Sequence, residues 1–269
     1  MKILLTEYFK NSDISRDNEV LDTIRINQES NIFDEIMIIC DKHLPILNNN
    51  EVIHKAFTRF ELKEKISLKT SRRTNKTLNK KTFSYKHNSI RYVLTNDRQT
   101  FKSMFEQANR HYPNSIVVVA NNDIYFDSTL RLLDEFDMTN KFLALLRYDV
   151  QADGSPSKIF KYTSEEKARG YGTDVARSDS QDSWLFKTPI MIPASSDFNF
   201  GVPGCDNRIA YLLHNVGYTV SNPALDIKSH HMHLSGIRNY TRRDVVKHPY
   251  LYIEPTTLGT VGEYRLIGK

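Results

Sequence analysis

The chain has 269 residues, 39% of them hydrophobic, and a formal net charge of +5. That is enough apolar material for a full core, and it excludes disorder throughout. No stretch approaches the roughly 20 consecutive apolar residues of a membrane span, and the opening run from Met1 is charged too early for a signal peptide, so a cytoplasmic protein is expected. Cys40 and Cys205 stand alone rather than in paired ligand spacing, and both read as reduced thiols.

Short apolar runs alternate with helical periodicity in the first half, which predicts strands joined by crossover helices into a mostly parallel sheet. Lys2 to Leu5, Glu35 to Ile39, Ile90 to Leu94 and Ser115 to Ala120 are the expected strands. Val20, Leu21 and Ile24 share one helical face, and Phe101, Met104, Phe105 and Ala108 share another. Ile116-Val117-Val118-Val119 lacks polar alternation and predicts a central strand buried on both sides. After Asp127 the expected order is a helix (Leu130, Leu133, Phe136), a strand from Phe142 to Leu146, and a long polar loop from Asp149 to Gln181. A strand from Trp184 to Lys187 and a helix from Asn207 to Val216 follow, with Gly217 as the stop. No repeat or low-complexity linker divides the chain, so one domain is expected over residues 1–269.

The positive charge is local. Twelve Lys/Arg face two acids between Lys55 and Arg91, and the remainder of the chain is net negative. With Phe57, Phe60, Phe83 and Tyr85 interleaved, this stretch reads either as a solvated loop or helical hairpin, or as a grip for phosphates, anionic lipid head groups or an acidic acceptor.

Three constellations carry chemistry. In Asn121-Asn122-Asp123 a carboxylate lies just past the carboxyl end of the buried strand, the edge at which open α/β sheets bind ligands. A carboxylate there faces a diphosphate only through a divalent cation, Mg²⁺ or Mn²⁺; the bland alternative is a turn. In Gly204-Cys205-Asp206-Asn207-Arg208, Asp206 is expected at the N-cap of the following helix, where the dipole would lower its pKa. It reads either as a cap or as a general base for an acceptor hydroxyl. In Lys228-Ser229-His230-His231-Met232-His233, His231 and His233 fall on one side of a strand, and imidazole suits a metal already held by Asp123. His230 reads as structural.

Two further segments supply candidates. Arg98 ends a strand and opens the helix that carries Asn109; it is either a surface cap or a hand on a nucleotide diphosphate. Asp182 sits two residues before Trp184, the one tryptophan, whose ring reads as core or as a face for a sugar.

In order, these pieces resemble the GT-A glycosyltransferases. Asn121-Asn122-Asp123 stands where that family has an Asp-x-Asp-like motif, with Asn at 121 where Asp is frequent. Asp206 looks like the late acid that opens a helix, and His231 or His233 looks like the terminal metal ligand. The strings AsnAsnAspIleTyrPheAsp, SerGlnAspSerTrpLeuPhe and GlyCysAspAsnArgIleAlaTyr are similar to glycosyltransferases of surface-polysaccharide synthesis, over about residues 1 to 240. The basic stretch 55–91 has no counterpart in the family. The resemblance implies an α/β fold of GT-A type, a Rossmann-like, mostly parallel central sheet flanked by helices. Its nucleotide-binding half would be 1–127, with 55–91 as a basic insertion, and its acceptor-binding half 128–269.

The implied activity is metal-assisted, inverting transfer of a sugar from a UDP- or GDP-sugar to a hydroxyl of a glycan or lipid-linked acceptor. Asp206 and Asp182 are then the catalytic candidates, and Arg98, Asn109, Asn121 and Asn122 the donor contacts. Trp184, Asn207 and Arg208 are the acceptor contacts, and Asp123, His231 and His233 the Mn²⁺ or Mg²⁺ ligands. Residues 55–91 stay open between a solvated loop or hairpin and a peripheral contact with the inner membrane face, and no nucleic acid is expected as partner. The rivals are a sugar nucleotidyltransferase, disfavoured because Thr6 to Ser15 lacks glycine, and a non-catalytic nucleic-acid or membrane binder.

Overall fold

A computed structural model describes residues 1–41, 84–87, 89–95, 97–168, 176–237 and 241–268. Most of the basic stretch, 55–83 and 88, therefore lies outside the described residues, and the candidate membrane contact with it.

Among the described residues the main sheet holds eight strands. In chain order they are β1 (Lys2–Tyr8), β2 (Glu35–Cys40), β3 (Ser84–His87), β4 (Ile90–Leu94), β5 (Ile116–Ala120), β7 (Lys141–Leu145), β10 (Ser183–Lys187) and β11 (Thr219–Ser221). Their spatial order is β11-β7-β10-β5-β1-β2-β4-β3. All but β3 and β10 run the same way, because β1 pairs in parallel with β2 and β5, β2 with β4, and β11 with β7. β10 lies antiparallel between β5 and β7.

Continuous apolar runs make this sheet, since each central strand is covered on both sides. Ile3 and Leu5 face one core with Met37, Val117 and Val119. Leu4 faces the other core with Ile36, Ile38 and Val118. Helix α1 (Ile14–Glu29) packs on the second core through Val20 and Ile24, with Asp13 as N-cap accepting from Arg16 N. Helix α2 (Phe101–His111) packs on the first with the expected Phe101, Met104, Phe105 and Ala108, and a Thr100/Ser103 capping box opens it. Helices that join parallel strands run back against them, so the N-termini of α1 and α2 return to the carboxyl edge of the sheet.

At that edge stands a second sheet, which the sequence reading does not include. It contains β6 (Ile124–Phe126), β12 (Ser229–His231), β8 (Arg147–Asp149) and β9 (Lys158–Ile159), in that spatial order. Its strands are too short for a period-2 signal. The segment after Asp127 is a 3₁₀ helix, Ser128–Asp134, rather than an α-helix. Among its described residues the polar stretch 149–181 holds β9 and a short helix α3 (Ser164–Ala168). Helix α4 (Cys205–Asn215) follows, and a hairpin of β13 (Tyr250–Ile253) and β14 (Tyr264–Ile267) closes the fold. No helix among the described residues is long and apolar enough to cross a membrane.

Candidate functional site

Asp123 is delivered by a tight turn between the two sheets. β5 ends at Ala120, Asn121 N donates to Asp182 O at 3.0 Å, and Ile124 N returns to Asn121 O at 3.1 Å before β6 begins. β12 lies antiparallel on β6 with His231 opposite Ile124, and Met232 N donates to Asp123 O at 2.8 Å. That register brings the histidines to the turn. His231 Nε2 is 3.2 Å and His233 Nδ1 3.5 Å from Asp123 Oδ2. One ligand atom from each of the three residues lies within 4.8 Å of the others, and no other such group of three occurs among the described residues. His230 points elsewhere: it stacks on Tyr125 at 4.8 Å and bonds Ser157 and Asp127.

Arg16, in the first turn of α1, was invisible to the sequence reading. Its Nη2 reaches Asp123 Oδ2 at 2.5 Å, and its Nη1 donates to Glu19 Oε2 at 3.0 Å and Met232 O at 3.2 Å. Glu19 in turn accepts from Ser235 N at 2.6 Å and Ser235 Oγ at 2.8 Å, so α1 grips the segment that carries His233. Asp123 is 6% exposed. Burial alone would raise its pKa, but His231, His233 and Arg16 more than offset that and hold it well below the usual carboxylate range. Burial likewise pulls His231 down, yet Asp123 and Asp149 on its two nitrogens push it up to about 9.

On its other side His231 Nδ1 is 3.0 Å from Asp149 Oδ1, which also accepts from Arg147 Nε at 2.9 Å. Arg147 Nη1 donates to Asp182 Oδ2 at 2.8 Å, and Asp182 Oδ1 accepts from Asn121 Nδ2 at 2.8 Å. Both oxygens of Asp182 are thus engaged in holding the site together. Arg147 and Asp149 were also missed; two residues apart on a strand, they share a face, which was the available signal.

Asp206 differs from its expected setting. Gly204, not Asp206, is the N-cap of α4, with φ 79°, and Asp206 lies inside the first turn. Its Oδ2 accepts from Gln181 N at 3.0 Å and its Oδ1 from Asn207 Nδ2 at 3.2 Å. Those bonds favour the ionised form, but burial, with Asp182 and Asp179 nearby, outweighs them and raises the carboxyl to about 7. The lowering expected from the helix terminus is therefore corrected: no cation faces this buried acid strongly enough to offset desolvation.

Trp184 is corrected as well. Its ring is fully buried, edge-on to Phe101 at 4.7 Å, and offers no face to a sugar. Asn109 spends its amide on the backbone of Ile190, at 2.8 Å in both directions, beyond the amino ends of the parallel strands and so across the sheet from Asp123. Arg98 does lie at the carboxyl edge, 44% exposed, paired with Glu7 of β1 at 2.9 Å. Asn122 is half-buried in the Asp123 turn. Asn207 is buried and donates to Asp179 O at 3.0 Å, while half-buried Arg208 donates to Pro249 O at 3.2 Å. Around the start of α1, an open cavity of about 650 Å³ is lined by Lys10, Asn11, Ser12, Ile14 and Asp17.

Eight buried side-chain polar atoms among the described residues lack a hydrogen-bond partner, and six of them belong to Asn121, Asp123, Gln181, Ser183, Asn207 and His233. Native proteins rarely leave such atoms unpaired, and here they gather at one edge. Asp123 Oδ1 and His233 Nε2 are among them, so the trio retains donor capacity for a cation. One carboxylate with two imidazoles suits manganese better than magnesium, which prefers oxygen.

No family model matches the sequence, and no curated protein matches it either. Among solved structures the chain is similar to mannosyltransferase PcManGT from Pyrobaculum calidifontis in complex with GDP-Man and Mn²⁺, at 10% identity and a TM-score of 0.45. That match covers 86% of this chain, which spans 56% of the length of the mannosyltransferase. It is also similar to 4-diphosphocytidyl-2C-methyl-D-erythritol synthase from Anaerococcus prevotii, at 14% identity and a TM-score of 0.41, over 90% of this chain and 94% of that one. A third, HddC from Yersinia pseudotuberculosis, is 9% identical at a TM-score of 0.37, over 75% of this chain and 84% of that one.

Proposed function

We propose that the chain is a glycosyltransferase that moves a sugar from a UDP- or GDP-sugar to a hydroxyl of a glycan or lipid-linked acceptor, with inversion and with Mn²⁺ bound. The observation that carries this reading is the Asp123, His231 and His233 group at the carboxyl edge of a mostly parallel sheet, on the same side as the buried acid Asp206. A bound divalent cation would neutralise the donor's diphosphate, which Asp123 alone would repel. Arg98 and Asn122, at the same edge, take the donor; Asn121 holds the Asp123 turn through Asp182. Asp206 accepts the proton of the attacking hydroxyl, and its pKa of about 7 makes it a stronger base than an ordinary carboxylate while leaving a large ionised fraction near neutrality. Arg208, half-buried one turn into α4 territory beside Asp206, contacts the acceptor.

A second reading draws on Arg16. Its guanidinium already neutralises Asp123, so the same transfer would proceed without a cation, with Arg16 facing the phosphates.

The test is a panel of UDP-, GDP- and CMP-sugars with the purified chain, following release of free nucleotide with and without Mn²⁺. Release of UDP or GDP that requires Mn²⁺ supports the first reading, and undiminished release in EDTA supports the second. Release of pyrophosphate from a nucleoside triphosphate and a sugar phosphate would replace both with a nucleotidyltransferase.

A further inference from the structure

We propose that Asp149, held in place by Arg147, is a positioning residue that fixes His231 so that it presents Nε2 to a bound cation. The proposal rests on the reading of Asp123, His231 and His233 as a cation group.

The geometry begins with register. In the small sheet β8 lies parallel to β12 with Asp149 opposite His231, and Val150 N donates to His231 O at 3.0 Å, so the two side chains leave the sheet side by side. Asp149 Oδ1 then sits 3.0 Å from His231 Nδ1, while His231 Nε2 is 3.2 Å from Asp123 Oδ2. A carboxylate at Nδ1 demands an N–H there, which leaves Nε2 as the nitrogen whose lone pair serves a metal. Carboxylates behind ligating histidines set ring orientation in this way and raise the basicity of the ligand.

Asp149 is itself fixed. Arg147 Nε donates to it at 2.9 Å, and the guanidinium lies over the ring of Phe160 at 3.9 Å. The same guanidinium donates to Ser180 Oγ at 3.2 Å and to Asp182 Oδ2 at 2.8 Å. Asp182 takes Asn121 Nδ2 at 2.8 Å. Asn121, Asp182, Arg147, Asp149, His231 and Asp123 thus form a chain of polar contacts whose two ends are two residues apart in sequence. It closes on the turn that presents Asp123, so neither the turn nor the imidazole can rotate without breaking a part-buried polar contact.

The experiment is calorimetric titration of Mn²⁺ into the full chain as wild type, Asp149→Ala and Asp149→Asn, with melting temperatures in parallel. It is paired with nitrogen NMR of ¹⁵N-histidine protein loaded with ¹¹³Cd²⁺. Asp149→Ala is expected to lose about 10- to 100-fold in Mn²⁺ affinity. Asp149→Asn keeps an oxygen for Nδ1–H and should lose only about a few-fold. Cadmium should couple to Nε2 of His231 in wild type and in Asp149→Asn. Wild-type affinity within about two-fold in Asp149→Ala, or coupling at Nδ1, overturns the proposal while leaving the cation group standing. A wild type that binds no Mn²⁺ overturns the cation group and this proposal together. If Asp149→Ala does not fold, Asp149→Asn and the cadmium coupling still decide it.

Discussion

Each edge of the main sheet carries a buried acid gripped by an arginine, and the two are finished differently. At the amino edge Glu35, at the start of β2, accepts from Tyr112 Oη at 2.5 Å and from Arg91 Nε at 2.6 Å, and Arg91 lies over the Tyr112 ring at 5.8 Å. None of these three has a buried side-chain atom left without a partner. At the carboxyl edge Asp123 also has its arginine, yet Asp123, His233 and four neighbours keep unpaired buried atoms. A closed polar network is what stability alone would select, because each unpaired buried group costs about 1–3 kcal/mol. Among the described residues these unpaired atoms are concentrated at one edge, which therefore keeps hydrogen-bonding and ligating capacity that the Glu35 network has already used.

The strongest way to break this contrast is at Asp206, a buried acid at the carboxyl edge with no arginine hydrogen-bonded to it among the described residues. Asp206→Asn is expected to lower turnover by about 10²- to 10⁴-fold, measured as nucleotide release, with donor binding retained. The same substitution has a stability signature. The folded chain holds the Asp206 proton up to about pH 7, whereas the unfolded chain releases it near 3.8, so the folded state binds more protons between those values. Stability is therefore expected to fall as pH rises from about 4 to about 7, by on the order of a few kcal/mol. Asp206→Asn should flatten that slope and melt higher than wild type at pH 8. Unchanged turnover and an unchanged slope would return Asp206 to a packing role.

A smaller effect is expected where α4 begins. Gly204 has a left-handed φ of 79°, and a Cβ there would meet Tyr250 Oη at 2.6 Å and Val246 O at 2.9 Å. Gly204→Ala should cost about 1–3 kcal/mol in denaturant unfolding and lower activity through the displaced first turn of α4. At the amino edge Tyr112→Phe removes one donor from Glu35, at a comparable cost of about 1–3 kcal/mol, and should leave nucleotide binding unchanged. The smallest stability effect belongs to His233→Ala. Its ring makes one long polar contact with Asp123 and a tilted contact with the His231 ring at 5.2 Å, and leaves Nε2 unpaired, so the loss should stay under about 1 kcal/mol while Mn²⁺ affinity drops. A His233→Ala protein that melts far below wild type would make the carboxyl edge structural after all.

Much of this was legible in the sequence, because long apolar runs announce buried parallel strands and the turn after Val119 had to fall at their carboxyl edge. Asp123, His231 and His233 were readable for the same reason: residue type and strand position coincide. Arg16 was not, since an arginine in the first turn of a helix looks like any solvated charge until the fold brings it 107 residues along the chain to Asp123. Arg147 and Asp149 offered only a two-residue spacing within a strand of three residues, a signal too brief to single them out. Trp184 misled because a single aromatic beside an acid carries no sign of which face it shows, whereas its antiparallel place between β5 and β7 buries it. Asp206 was located but given the wrong titration, because the dipole of a helix is visible in sequence and desolvation is not.

The most direct test of the central claim is calorimetry of UDP and GDP against the full chain in Mn²⁺ and in EDTA, for wild type and Asp123→Asn. If the carboxyl edge holds a cation through Asp123, His231 and His233, one of the two nucleotides binds wild type at least about ten-fold more tightly in Mn²⁺ than in EDTA, and Asp123→Asn loses that difference. Equal affinity in both buffers, with Asp123→Asn unchanged, would contradict it.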